Sequence, residues 1–479
     1  MQSPIQLSMQ LKEMRGKSMQ TLKRQVGLRT VISTGAGLAL ASISYVSLIE
    51  MSDHVSGHAG WLALLAAGFI CYLSSLCFAE LGGMYPSAAG IKLYIEKAFG
   101  ESAALVLATL YIITTLSIVG AETYILGSVL SYGFPGIPVL VWIIAFLFII
   151  SLINIRGVKL TGTFQDVVAY FKFFALITIS WVALTKFNFP WEYPLEPMRD
   201  KSFSEFFQGI GVGVFLYLGF EWVTPLAEEV EDYRSIPRGM AISILLLFIS
   251  YGSLVTAMTS IGGKEALSQA VASGKPIPHV LFAVRAFGTP GLMIMMLMSL
   301  VASITCFNAG LLTASRFLYA MARDHAAPKI LSKIHDKYMT PHIAIWVLFA
   351  VCAGISILVA YSGVVKPFIY MGAFAECLIY VAMAISLIRL RKTQPEQPRP
   401  YRVKTLFIPI FVAVFFFVLG IGILLDNSIA AMSMGIGAVL VSIYVKWIVP
   451  QIKKSGLEQA QAPKRRRPGG STSEPTELN

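Results

Sequence analysis

The sequence predicts an all-α integral membrane protein with twelve transmembrane helices. Three observations carry this. Of 479 residues, 56% are hydrophobic and only 13% charged, about half the charged share of an average soluble domain. Apolar runs of about 18–25 residues recur from end to end, each long enough to cross ~30 Å of hydrocarbon. Lys and Arg collect in alternate loops, the bias that orients such helices.

The spans run roughly 30–50, 60–82, 102–130, 136–155, 164–186, 204–226, 237–262, 290–322, 341–361, 364–390, 404–425 and 428–449. With residues 1–28 as a cytoplasmic arm, both termini and every even-to-odd loop face the cytoplasm. That placement puts 29 Lys and Arg inside and 7 outside, with Lys172 and Arg316 within spans. The expected location is therefore the plasma (inner) membrane, multi-pass, both ends inside. The net charge of +12 belongs to cytoplasmic loops and does not point to nucleic acid.

Residues 1–28 are polar and basic, with no apolar core and small-residue cleavage site of a signal peptide. Span one then carries Val31-Ile-Ser-Thr-Gly-Ala-Gly-Leu-Ala-Leu40. Glycine in a helix interior costs about 1 kcal/mol against alanine, and two close together invite the helix to open. An opened turn at membrane depth is tolerated only where it is buried in protein or lines a polar cavity. Two readings follow. Thr34, Gly35, Ala36 and Gly37 form a substrate-binding break, or the small residues form a face on which another helix packs closely. Span six is interrupted in the same manner, by Gly209-Ile-Gly-Val-Gly213 and then Phe215-Leu-Tyr-Leu-Gly-Phe-Glu221. Transporters built from two inverted halves place discontinuous helices in corresponding positions. A separation of five spans fits that plan, and it favours the break.

Four charged residues mark span interiors: Glu122 in span three, Lys172 in five, Glu221 in six and Glu376 in ten. Intramembrane charge is costly and usually functional. If helix five starts near Val167, Lys172 lies about one and a half turns deep, and its stem could instead snorkel to the interface. Glu122 and Glu376 could pair with Lys172 or Arg316, meet a cationic substrate, or be protonated and hydrogen-bonded. Glu80, near the end of span two, reads as ordering the cytoplasmic connection.

Several classes are excluded. Cys71, Cys77, Cys306, Cys352 and Cys377 sit in apolar runs without paired spacing, and the histidines are not clustered, so neither a disulfide framework nor a metal site is expected. No His-Glu-x-x-His or Gly-x-Ser-x-Gly motif indicates an enzyme. No repeated filter-like loop indicates a channel. The loop after span two, Tyr85-Pro-Ser-Ala-Ala-Gly-Ile-Lys92, lacks the Asp-Arg-x-Gly-Arg-Arg-like run of the major facilitator superfamily. The tail with Lys464-Arg-Arg-Arg467 reads as disordered. It either touches anionic lipid, at about 1 kcal/mol per residue, or is merely solvated.

Five segments resemble the amino acid–polyamine–organocation (APC) superfamily of permeases. Leu22-Lys-Arg-Gln-Val-Gly-Leu28 leads into the glycine triplet as at the entry to that family's first helix. Glu80-Leu-Gly-Gly-Met-Tyr-Pro-Ser-Ala-Ala-Gly90, with Tyr94 and Phe99-Gly100, is similar to the connection of its second and third helices. Asn154-Ile-Arg-Gly-Val158 resembles the turn before helix five, and Ala227-Glu-Glu-Val230 with Ile236-Pro-Arg-Gly239 the loop after helix six. Ser315-Arg-Phe-Leu-Tyr-Ala-Met-Ala-Arg-Asp324, with Pro328 and Thr340-Pro341, resembles the end of helix eight. Two departures concern the substrate more than the fold. The family's Ile-Gly-x-Gly-Ile-Phe is here Ser33-Thr-Gly-Ala-Gly-Leu-Ala39, without the aromatic, and its Gly-Gly in helix two is Ala89-Gly90.

The resemblance implies a 5+5 inverted repeat (LeuT-like) plus two peripheral helices: a first repeat over 29–186, a second over 187–392, the peripheral pair over 393–450, and the tail over 451–479. It implies an amino acid or small amine bound between helices one and six, with Ser33, Thr34, Gly35, Ala36, Gly37, Phe215, Tyr217, Gly219 and Glu221 as contacts; Glu122, charged inside span three, is a further candidate contact on that ground alone. Amides of Gly35–Gly37 would receive a carboxylate, and carbonyls around Val31–Ser33 and Val214–Leu218 an ammonium. Phe215 would close over the substrate, and Glu221 matches a glutamate that some relatives use in pH sensing or substrate recognition. Lys172 matches a lysine of proton-coupled members, which stands where sodium-coupled relatives hold an ion. Burial disfavours an ammonium, so such a lysine can load and release a proton, the only coupling ion or cofactor expected. The implied function is uptake by proton symport with alternating access; exchange of two amino acids would use the same site.

Overall fold

Several helices in this chain start at a cap or a proline, and three of those described stop at glycine. The computed structural model describes residues 25–87, 89–156, 158–187, 198–272, 277–363 and 365–454. The expected arm before residue 25, the basic tail beyond 454, and Ala88 and Gly157 of the family-like motifs lie outside the described residues.

The first span is two helices, α1 (Leu28–Gly37) and α2 (Ile43–Asp53), with an irregular stretch over 38–42 between them. Then follow α3 (Gly60–Met84), the short α4 (Gly90–Phe99), α5 (Glu101–Gly133), α6 (Val139–Ile155) and α7 (Val158–Lys186). The sixth span is also split, into α8 (Phe203–Phe215) and a 3-10 segment (Phe220–Glu228). Next come α9 (Ser235–Ala257), α10 (Lys264–Ala272), α11 (Pro278–Phe287), α12 (Thr289–Arg323), α13 (His342–Ser362), α14 (Lys366–Thr393), α15 (Phe407–Asp426) and α16 (Ser428–Ile443).

Local chemistry fixes several boundaries. Ser202 opens α8 with a capping box: Glu205 N donates to Ser202 Oγ (3.2 Å), and Ser202 N to Glu205 Oε2 (2.8 Å). Proline stands in the first turn of α11, α12 and α14, where its missing N–H costs nothing. Gly100 (φ +90°) and Gly288 (φ +66°) make the sharp joints α4–α5 and α11–α12.

Ten of these stretches are long and apolar enough to cross a membrane. The apolar α6 is too short at 17 residues, and α1 and α2, of 10 and 11 residues, are not among them either; they occupy the places of the expected spans four and one. Burial separates centre from periphery. The apolar window of Phe203–Ala227 is wholly buried, whereas α15 and the stretch from α16 to Lys454 have only 33% and 17% of theirs inside.

The face carrying residues 25 and 453 is tied shut by polar links. Gln25 N and Val26 N both donate to Glu229 O (2.9 Å), and Glu231 N to Val26 O (3.1 Å). Arg316 pairs with Glu229 at 3.1 Å, both buried. Glu80 takes Arg391 and the Val403 amide (2.7 Å), so it organises a connection, as its place in the sequence suggests. Lys92 bonds Asp324 (2.9 Å) and Glu96 (3.0 Å); burial works against its charge, but the two carboxylates win and its pKa is raised. On the opposite face, a cavity of about 480 Å³ opens beside Glu50, Asp53, Ser268 and Lys366.

Candidate functional site

The break in span one does not fall on the glycines. The expectation that Thr34–Gly37 open is corrected: α1 stays helical through Gly37, and the irregular backbone is 38–42. The glycines are instead where other helices come close. A Cβ on Gly35 would stand 2.9 Å from Ser243 Oγ of α9, and one on Gly37 would stand 2.6 Å from Ala309 Cβ of α12. The small-residue packing face and the break are therefore both present, one turn apart. Ser33, too, is engaged: its hydroxyl donates to Asp166 Oδ1 of α7 (2.5 Å), and its carbonyl accepts from Gln165 (3.0 Å). Thr34 Oγ1 is buried without a partner among the described residues.

An opened turn in an apolar surrounding must satisfy its backbone internally, and the chain does this with charge. Leu40 O accepts from Lys172 Nζ (2.7 Å) and Thr305 Oγ1 (3.0 Å). Ala39 O accepts from Tyr251 Oη (2.5 Å) and Ser44 Oγ (2.6 Å). On the other side of the break, Ser42 N and Ile43 N donate to the two oxygens of Glu122 (2.8 and 2.7 Å), which also takes Ser303 Oγ (2.5 Å). A carboxylate thus sits at the N-terminus of α2, where the helix dipole and free amides favour it. Glu122, expected to meet substrate, is committed to that cap.

Lys172 is fully buried. Helix α7 begins at Val158, earlier than expected, which puts Lys172 about four turns in. The snorkelling alternative is removed, because the side chain points to the break, 5.2 Å from the Tyr45 ring.

The second break abuts the first. After Phe215 the backbone makes three-residue turns to Gly219, whose φ of +117° suits glycine alone. A Cβ there would lie 2.6 Å from Leu38 Cβ, so residue 219 of one break rests on residue 38 of the other. Phe215 is buried against Gly372 of α14. Tyr217 turns to α3, where its hydroxyl donates to Leu64 O (2.9 Å).

Glu221, two residues beyond the break, is fully buried among rings. It accepts from Tyr111 of α5, from Tyr380 of α14 (3.1 Å) and from Gly219 N (3.3 Å). Trp222 Nε1 donates to Tyr111 (2.7 Å). Glu376, one turn before Tyr380, bonds the same hydroxyl. Neither tyrosine, nor Ser303 and Thr305, stands out in the sequence, because isolated hydroxyls are ordinary in membrane helices. Glu50 was also missed, at the edge of span one; it pairs with Lys366 at 2.6 Å beside the open cavity. Among the described residues no group of three His, Cys, Asp or Glu is placed to hold a metal.

A family model described as amino acid permease matches residues 27–443. The human large neutral amino acids transporter small subunit 2 is 29% identical over 425 residues, covering 83% of this chain and 75% of that protein. The branched-chain amino acid permease BcaP of Bacillus subtilis (strain 168) is 24% identical over 408 residues, 80% of this chain and 84% of that one. The gamma-aminobutyric acid permease of Escherichia coli (strain K12) is 26% identical over 398 residues, 78% and 82%.

Proposed function

Since the chain belongs to the amino acid permease family, and so is a multi-pass membrane transporter of amino acids and not an enzyme, we propose that it takes up its substrate by proton symport through alternating access. The observation that carries the reading is the abutment of the two breaks at Leu38 and Gly219, with a buried ammonium on the carbonyl of Leu40. Thr34 supports it: a buried hydroxyl without a partner is the atom a bound ligand would satisfy. We place the substrate between the breaks, with Thr34, the backbone near Gly37 and Gly219, and Phe215 nearest to it. Ser33, Tyr217, Gly35 and Glu122 act there by holding the two helices. The full architecture is twelve spans as a 5+5 inverted repeat with α15 and α16 outside it, both termini cytoplasmic, in the plasma membrane, and the basic tail against anionic lipid.

The relatives named above carry neutral or gamma-amino acids by name, so amino acids without side-chain charge are the first class to screen. The proton is the only coupling ion, carried by Lys172. Purified protein in proteoliposomes with an imposed pH gradient tests this. Wild type accumulates substrate against its gradient, and Lys172→Met equilibrates it without accumulation. If Lys172→Met still accumulates, the lysine does not couple; if wild-type uptake requires amino acid inside, the protein is an exchanger.

A further inference from the structure

Around Glu221 and Glu376 the structure places two carboxylates on one hydroxyl. Both are fully buried, and both bond Tyr380 Oη. Among the described residues neither is in an ion pair, and the side chains that act on them electrostatically are Cys71 of α3, Tyr111 of α5, and Cys377 and Tyr380 of α14. None is basic. Two adjacent buried anions with no counter-cation are strongly disfavoured, and the ordinary escape is to keep a proton.

The hydrogen bonds say where that proton sits. A tyrosine hydroxyl donates one hydrogen and can accept another. Glu221 already draws donors from Tyr111 and Gly219 N, an arrangement that suits its anion. Among the described residues Glu376 has no other donor, and its Oε2 has no partner. We propose that Glu376 is a proton-binding residue of the transporter, donating a proton on Oε1 to Tyr380 Oη while Tyr380 donates to Glu221 Oε2. That chain ties α14 to the 3-10 segment directly after the span-six break. Loss of the proton leaves Tyr380 able to serve only one of two facing carboxylates, and the contact between α14 and Phe220–Glu228 is pushed open. The site is separate from Lys172 and stands whether or not that lysine couples transport.

Infrared difference spectroscopy of the purified full-length protein in lipid, between acid and alkaline pH, tests this without a transport assay. Wild type shows a carboxylic-acid carbonyl band that titrates. Glu376→Gln loses that band, Tyr380→Phe moves its frequency, and Lys172→Met and Glu122→Gln keep it. No titrating carboxylic acid in wild type, or a band that survives Glu376→Gln or vanishes instead in Glu122→Gln, overturns the assignment. Should Glu376→Gln fail to fold, the Tyr380→Phe shift decides: an unmoved band overturns it equally. In proteoliposomes, uptake by Glu376→Gln falls less steeply toward alkaline pH than that of wild type, whose slope from this group approaches about tenfold per pH unit; identical profiles overturn the link to transport.

Discussion

Replacing Glu122 by alanine removes the only acceptor that the described residues offer two buried backbone amides, Ser42 N and Ile43 N, together with a partner of Ser303. The Ser303 hydroxyl can turn to a carbonyl of its own helix, but the amides cannot move without unwinding the start of α2. A buried unsatisfied donor costs about 1–3 kcal/mol, so two cost about 2–6 kcal/mol. A carboxylate at a helix N-terminus is worth a further ~0.3–1 kcal/mol. Hydrogen bonds inside membrane proteins average nearer 0.6 kcal/mol, because the membrane-embedded unfolded chain also finds partners. The lower end, about 2 kcal/mol, is therefore the expected loss for Glu122→Ala. Glu122→Gln retains one acceptor oxygen but turns an amide donor toward a backbone N–H, so it should lose about half as much. Thermal unfolding of the purified proteins in one detergent, without substrate, should rank wild type above Gln above Ala. Alanine unfolding with wild type would refute the cap, and return Glu122 to the role of a free substrate contact.

Gly219→Ala forces a side chain into φ +117° and against Leu38; the backbone strain alone is about 1–3 kcal/mol. Adding Leu38→Ala should recover the steric part of the lost stability and not the strain, and full recovery would show that φ is unimportant there. At the open face, burial raises the pKa of Asp53 above its usual 3.8. The folded state thus holds that proton more tightly than the unfolded chain, and its contribution is lost as pH rises from 3.8 through the higher folded value. Asp53→Asn should flatten this decline in unfolding temperature between mildly acidic and neutral pH; an unchanged slope assigns it elsewhere. Together with Lys172→Met and Glu376→Gln, these variants separate the roles of the cap, the joint and the two proton sites.

What the sequence determined by itself was everything that depends on local composition. Twenty-residue apolar runs have one fate in a bilayer, so the membrane class and the long apolar helices could be read directly, though not the short helices α4, α10 and α11, and the charge inside spans at Glu122, Lys172, Glu221 and Glu376 marked the centre of the molecule. Motif resemblance then carried the family. Only the tertiary structure decided what each marked residue does. A helix opens where neighbouring side chains can take over its backbone bonds, so the first break lies at 38–42, within reach of Lys172, Thr305, Tyr251 and Glu122, and not on the glycines that most easily bend. Gly35 and Gly37 kept their helix because α9 and α12 press against them. Glu122 became a cap and Glu376 half of an acid pair through partners from 79 to 181 positions away for the former, and from span six for the latter. Such pairings arise from packing between helices, which the spacing of residues along one chain does not encode.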